Sequence, residues 1–306
     1  MERAYPRVIV GCGNFGGIGS TPSLFGQGDN QEQAFELLDA AYDAGLTWLD
    51  TADAYGGGRS ETYIGEWLRS RRPEGVRITT KTFAAMDEGE DQGLAPARVR
   101  RQIDTSLARL GAERVDLYLA HAWDPDVPIA EVAGVFDELV AAGKIAAYGL
   151  SNVGGEELSA GLAAGSFAAV QDSYSLLDRD VEGEVLPLCA EHGVWFQAFS
   201  PLCGGWLTGK YRRDEALPEG SRMTLRGGPY EHLRTDAVFD ALEALQRRGD
   251  PATLALAWLL ADPNVSVVIG PRRPEQLAPA LAARAKPLTA TARDELSTLF
   301  AGATQE

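Results

Sequence analysis

The chain has 306 residues and carries 28 Lys and Arg against 44 Asp and Glu, a formal net charge of −16. No basic run offsets that balance, which excludes recognition of DNA or RNA through phosphates. With 45% hydrophobic and 24% charged residues, the composition is that of a soluble globular protein, long enough for one large α/β barrel or two ordinary domains.

Residues 1–7 are charged and polar, with no apolar stretch of signal-peptide length. The longest apolar run, near residues 254–261, is too short to span a bilayer. Three scattered cysteines (Cys12, Cys189 and Cys203) form no CxxC pair and suggest reduced thiols. A cytoplasmic protein without a membrane partner is expected.

Residues 8–10 read as a first strand. Gly11-Cys12-Gly13-Asn14-Phe15-Gly16 follows and satisfies GxGxxG, but a dinucleotide fingerprint needs a helix to begin there, with its amides facing the pyrophosphate. The next residues, Gly17-Ile18-Gly19-Ser20-Thr21-Pro22, form a loop, so the motif fails its context. A long connection, residues 16–30, leads to a helical pattern over 31–44 that Gly45 stops.

The second strand, 47–49, delivers Asp50 and the turn Thr51-Ala52-Asp53-Ala54-Tyr55-Gly56. The third, 77–80, delivers Lys81, and the fourth, 116–119, delivers His121. Helical patterns at 97–110 and 129–142 start beside Pro96 and Pro128, and Gly143 closes the second. Strands at 146–150, 168–171, 194–199 and 265–269 complete a set of eight.

After the seventh strand comes another long connection, 201–234. It contains Gly204-Gly205-Trp206-Leu207-Thr208-Gly209-Lys210, one residue short of a P-loop, because Tyr211 stands where a magnesium-binding hydroxyl belongs. Its backbone amides can still wrap phosphate oxygens.

Strands that alternate with helices pair in parallel. Eight such units predict a single (β/α)8 TIM barrel over residues 1–306, with an open doubly wound sheet as the competing architecture. Both long connections follow strands, on the face where barrel active sites assemble, and are expected to wall or cover a pocket.

On that face Asp50, Tyr55, Lys81 and His121 converge from neighbouring strands. Singly, each has an ordinary structural use. Together they make a general acid: an ammonium favours ionisation of a nearby phenol, a carboxylate holds the ammonium, and an imidazole shares the proton with a substrate oxygen.

Asp50-Thr51-Ala52-Asp53-Ala54-Tyr55-Gly56, Gly58-Arg59-Ser60-Glu61, Thr80-Lys81, Gly149-Leu150-Ser151-Asn152 and Ser200-Pro201-Leu202 stand in the order seen in the aldo-keto reductases. The chain resembles that family from about Val8 to about Leu281. The resemblance implies a barrel that binds NAD(P)H without a Rossmann domain and reduces an aldehyde or ketone to an alcohol. It implies that Asp50, Tyr55, Lys81 and His121 form the catalytic tetrad, with Tyr55 as proton donor.

By the same resemblance Ser151, Asn152 and Gln171 hold the nicotinamide carboxamide and Phe199 stacks on the ring. Ser200, Pro201, Leu202, Gly204, Leu207, Gly209 and Lys210 cover the pyrophosphate, and Gly13, Asn14, Ile269, Gly270 and Gln276 complete the cofactor set. Arg272 and Arg273 look like the adenosine-phosphate segment; a guanidinium there suits a 2′-phosphate, so NADPH is favoured over NADH. The chain departs from the family at Pro279 and Ala280, where an acidic residue and Asn are common, and it is too short at the start for a full N-terminal hairpin.

Phe15, Phe25 and Trp123, with Tyr55 and His121, are expected to line the substrate pocket, and Asn14, Tyr174 and Trp206 are further candidates. Two other readings share the motifs: a sugar or deoxysugar oxidoreductase using NAD, and a cofactor-sensing protein resembling channel β subunits. His121, His192 and His232 lack metal-ligand spacing, which disfavours a metal hydrolase.

Overall fold

A computed structural model describes residues 5–86 and 91–303. Of the N-terminal segment read above for targeting, residues 1–4 lie outside them. Eight parallel strands close into a barrel in chain order, β1 pairing with both β2 and β8. They are β1 (Val8–Gly11), β2 (Trp48–Asp50), β3 (Arg77–Thr82), β4 (Leu117–Ala120), β5 (Tyr148–Ser151), β6 (Ala169–Ser173), β7 (Trp195–Phe199) and β8 (Val265–Ile269). The doubly wound alternative is thereby ruled out. Strand positions agree with the apolar runs to within two residues at either end.

The outer ring contains α1 (Gln31–Asp43), α2 (Arg59–Arg71), α3 (Pro96–Leu110), α4 (Ile129–Ala141), α5 (Gly155–Ala164) and α6 (Val185–His192). It continues with a short α7 (Arg222–Arg226), then α8 (Asp236–Gln246), α9 (Pro251–Leu260), α10 (Ala278–Ala285) and α11 (Ala290–Phe300). None of the described helices is long and apolar enough to cross a membrane. Asn30 caps α1 through Gln33 N at 3.0 Å, and Gln33 returns the bond to Asn30 N at 2.9 Å.

The main core lies between strands and helices and includes Val10, Leu37, Ile64, Ile103, Phe136 and Trp258. Burial of each larger side chain contributes on the order of 1.5–3 kcal/mol. A second cluster fills the barrel itself: Ile9, Trp48, Leu117, Leu119, Ala169, Trp195 and Val268. The two indoles, at the N-terminal ends of their strands, donate to Thr79 Oγ1 at 2.8 Å and Ser266 Oγ at 2.7 Å. Tyr5 stacks on Trp195 with ring centroids 4.0 Å apart. Among the described residues no strand precedes β1, and Tyr5 packs against the cluster that fills the barrel.

Candidate active site

Strand side chains alternate between the two faces, so residues two apart share one. The floor residues Trp48, Thr79, Ala169 and Trp195 therefore have Asp50, Lys81, Gln171 and Gln197 directly above them. These four form a polar layer inside the barrel. Lys81 Nζ donates to Asp50 Oδ1 at 2.5 Å and to Thr51 O at 2.9 Å. Gln171 Nε2 reaches across from β6 to Asp50 Oδ2 at 2.7 Å and to Gln197 Oε1 at 2.8 Å. Lys81 and Asp50 are buried.

Tyr55 stands just beyond β2, where its hydroxyl oxygen accepts a 3.3 Å hydrogen bond from Lys81 Nζ. The ammonium lies 4.9 Å from the centroid of the same ring. His121 meets Tyr55 edge to face, with ring centroids 5.6 Å apart, and its backbone N donates to Thr82 O at 3.0 Å. The four residues expected to converge do so.

Their electrostatics add a burial effect to the expected pull of Lys81 on the phenol. Burial raises the Tyr55 pKa and outweighs the opposing Lys81 ammonium, so the phenol is held protonated rather than drawn towards ionisation. Burial also works against the Lys81 ammonium, but Asp50 and Tyr55 outweigh it and raise that pKa. Burial, then Lys81, lowers the His121 pKa to about 3, so the ring is neutral near pH 7. Its Nδ1 is buried with no partner among the described residues.

The turn that carries Tyr55 rests on a second buried network. Thr82 Oγ1 donates to Asp53 Oδ2 at 2.7 Å and accepts from Arg98 Nη1 at 2.8 Å. Glu61 accepts from Thr80 Oγ1 at 2.6 Å and from Arg109 Nη1 at 3.1 Å. Asp53 N donates to Lys81 O at 3.0 Å, tying the turn to β3.

The residues expected to hold a cofactor lie around the same mouth. Ser151 ends β5, and Asn152 follows with φ 56°, a left-handed conformation Asn tolerates. Asn152 Nδ2 bonds Ser151 Oγ at 2.9 Å and His121 O at 2.8 Å. Phe199 is half-buried at the end of β7, Pro201, Leu207 and Ile269 are buried, and Gly270 is exposed. Ser200 Oγ lies 3.4 Å from the Tyr230 hydroxyl. At Gly205 (φ 95°) a Cβ would stand 2.4 Å from Lys210 Nζ, so only glycine lets that ammonium lie against the backbone.

The two long connections meet here. Arg222 Nη2 donates to Asn14 Oδ1 at 3.3 Å, and Arg226 approaches Gly19. Burial lowers the Arg222 pKa, with Tyr230 opposing and the cations Arg226 and Arg272 adding to it. Arg272 Nε is paired with Asp29 Oδ1 at 2.9 Å. Gln276 Oε1 accepts from Arg272 N at 2.7 Å and Arg273 N at 3.3 Å, capping the turn Pro274–Leu277.

Among the expected pocket residues, Phe25 packs over Gly17 and Gly57 beside the Tyr55 turn, and Trp123 is half-buried. Phe15, Tyr174 and Trp206, also expected there, are buried in the main core. Gln197, Tyr230 and Asp29 escaped sequence reasoning. Alternation from Trp195 pointed to Gln197; no local signal marked the other two.

The chain is 34% identical over 281 residues to the NADH-specific methylglyoxal reductase of Escherichia coli K12, covering 85% of each chain. It is equally 34% identical to a putative voltage-gated potassium channel subunit beta of Schizosaccharomyces pombe, over 82% of this chain and 78% of that one. The solved structure of a glycerol dehydrogenase from Gluconobacter oxydans superposes with a TM-score of 0.85 at 26% identity, covering 100% of this chain and 94% of that one. The Aldo/keto reductase family profile matches residues 8–299, so the chain belongs to that family and is an oxidoreductase that works with a nicotinamide cofactor and a carbonyl substrate.

Proposed function

We propose that this enzyme reduces an aldehyde or ketone to an alcohol with Tyr55 as the proton donor and NADPH as the favoured reductant. We read it as one barrel domain acting in the cytoplasm, where its three buried, unpaired cysteines would stay reduced.

The observation that carries this reading is the buried chain from Gln171 through Asp50 and Lys81 to the Tyr55 hydroxyl. Tyr55 accepts from Lys81, which leaves its own proton free to point away from the ammonium. As that proton passes to the substrate oxygen, the ammonium is in place to stabilise the phenolate left behind. Asp50 keeps Lys81 charged, and Gln171 fixes Asp50. Neutral His121 cannot share a proton as an imidazolium; with Nδ1 buried, Nε2 is the atom left to hydrogen-bond the carbonyl oxygen and aim it at Tyr55.

A nicotinamide cofactor, when bound, supplies the hydride for the carbonyl carbon. The donor set suits such a polyanion, because Arg226 and Arg272 lie close enough to Arg222 to help lower its pKa in a chain of net charge −16. Arg222, Arg226, Lys210 and the loop amides would take the pyrophosphate, and Ser151 and Asn152 the carboxamide. Arg272 and Arg273 would take a 2′-phosphate, which supports NADPH.

One observation favours a second reading, NAD-dependent oxidation of a sugar or other alcohol: Arg272 is already engaged by Asp29. Initial rates followed by nicotinamide absorbance, with aldehydes, ketones and sugars against each cofactor, separate the two. Faster carbonyl turnover with NADPH is expected. Tight cofactor binding with no turnover of any substrate would point to a sensing protein.

A further inference from the structure

Asp29 lies in the connection between β1 and α1, and no step assigned to Tyr55, Lys81, Asp50 or His121 uses it. It is 2% exposed. Its backbone is pinned, N donating to Asn14 O at 2.7 Å and O accepting from Gly16 N at 2.8 Å. Oδ1 accepts from Arg272 Nε, whereas Oδ2 is buried with no partner among the described residues. Arg272 lies 243 residues away, its side chain 41% exposed.

As a device for stability this pair is poor. An exposed arginine gains little from an ion pair, and half of the buried carboxylate's acceptor capacity goes unused. The arrangement makes more sense as a charge set behind Arg272. With Nε engaged, an incoming anion meets only the two Nη groups. It also enters the field of a carboxylate that water screens poorly. That field acts on each negative charge of a phosphate dianion and leaves a neutral hydroxyl almost unaffected.

We propose that Asp29 is a specificity-determining residue that limits the preference for the phosphorylated cofactor, its charge behind Arg272 lowering affinity for a 2′-phosphate and leaving a 2′-hydroxyl untouched. This rests on the proposed role of Arg272 in binding the 2′-phosphate. Asp29→Asn keeps the shape and an acceptor for Arg272 Nε and removes only the charge.

The test is calorimetric binding of 2′,5′-ADP and 5′-AMP, which differ by the 2′-phosphate alone. It uses the wild-type enzyme, Asp29→Asn, Asp29→Ser and Arg272→Ala at fixed ionic strength. Both Asp29 variants should bind 2′,5′-ADP about tenfold more tightly, with 5′-AMP changed less than about twofold and the gain shrinking in high salt. Arg272→Ala should weaken 2′,5′-ADP alone. If Arg272→Ala does so but neither Asp29 variant tightens binding, Asp29 merely positions Arg272 and the proposal is overturned. If Arg272→Ala changes neither ligand, the 2′-phosphate role of Arg272 fails and this proposal falls with it.

Discussion

Lys81 addresses Tyr55 in two ways at once: its ammonium donates to the phenol oxygen at 3.3 Å and lies 4.9 Å from the ring centroid. Both contacts grow stronger if the phenol loses its proton, so their value is greatest when Tyr55 has given that proton away. Tyr55→Phe keeps the ring over the ammonium and deletes only the acid. Carbonyl reduction should fall by roughly 10²–10⁴-fold, the usual worth of a general acid. Quenching of tryptophan fluorescence by NADPH should change by no more than a few-fold. Retention of most of the turnover would remove Tyr55 from the proton-donor role.

The pH profile follows from the same geometry. Reduction requires Tyr55 protonated, and burial raises its pKa above the ordinary value, so activity is lost as pH rises through that raised pKa. The turnover rate should hold level across neutral pH and decline only above about pH 10. His121, with its pKa lowered to about 3, should add no limb near the ordinary histidine value. An inflection in turnover near pH 6.5, present in the wild type and lost in His121→Gln, would show an imidazolium the structure does not support.

Lys81 and Asp50 are 0% and 3% exposed as side chains, so neither charge has recourse to water. Asp50→Asn leaves a buried ammonium uncompensated and should cost about 3–5 kcal/mol in urea unfolding. The double variant Asp50→Asn/Lys81→Met removes both charges and should regain part of that loss. The wild-type pair contributes below the ordinary amine pKa of about 10.4 and loses its contribution as pH rises through the raised Lys81 value. A single variant as stable as the wild type would mean that water reaches this layer.

Much of this was legible in the sequence, for a physical reason. Parallel strands buried on both faces are mostly apolar, and polar residues at their C-terminal ends stand out: Asp50 and His121 follow apolar runs, and Lys81 is the one charged residue in the buried stretch 78–82. What local spacing cannot carry is contact between distant segments. The Asp29–Arg272 pair joins residues 243 apart, and Arg222 reaches Asn14 across 208. The pull of Lys81 on the Tyr55 phenol can be inferred from order along the chain, whereas the depth of burial that outweighs it depends on the closed barrel. The burial of Trp206 and Tyr174 is hidden from the sequence for a related reason, since an aromatic in a loop has the same composition whether it faces the mouth or the core.

The network beneath the Tyr55 turn carries its own pH signature. Burial, then the neighbouring Glu61 carboxylate, pushes the Asp53 pKa up to about 7, against the opposing Thr82 hydrogen bond and the Arg98 charge. Asp53 Oδ1 has no partner among the described residues. In the unfolded chain an aspartate titrates near 3.9. Between those two values the folded state keeps a proton that the unfolded state has lost, so this residue's contribution to stability declines as pH rises from about 4 to about 7 and then stays level. Asp53→Asn deletes the titration and keeps a side chain that can pair with Thr82. Its melting temperature should fall less than that of the wild type across that interval, with the difference at pH 8 equivalent to a few kcal/mol, since each tenfold change in proton affinity is worth about 1.4 kcal/mol. Calorimetric melts at pH 5, 6, 7 and 8 decide the matter. Parallel curves for the two proteins would show that Asp53 ionises inside the fold as readily as outside it, with Arg98 supplying the compensation.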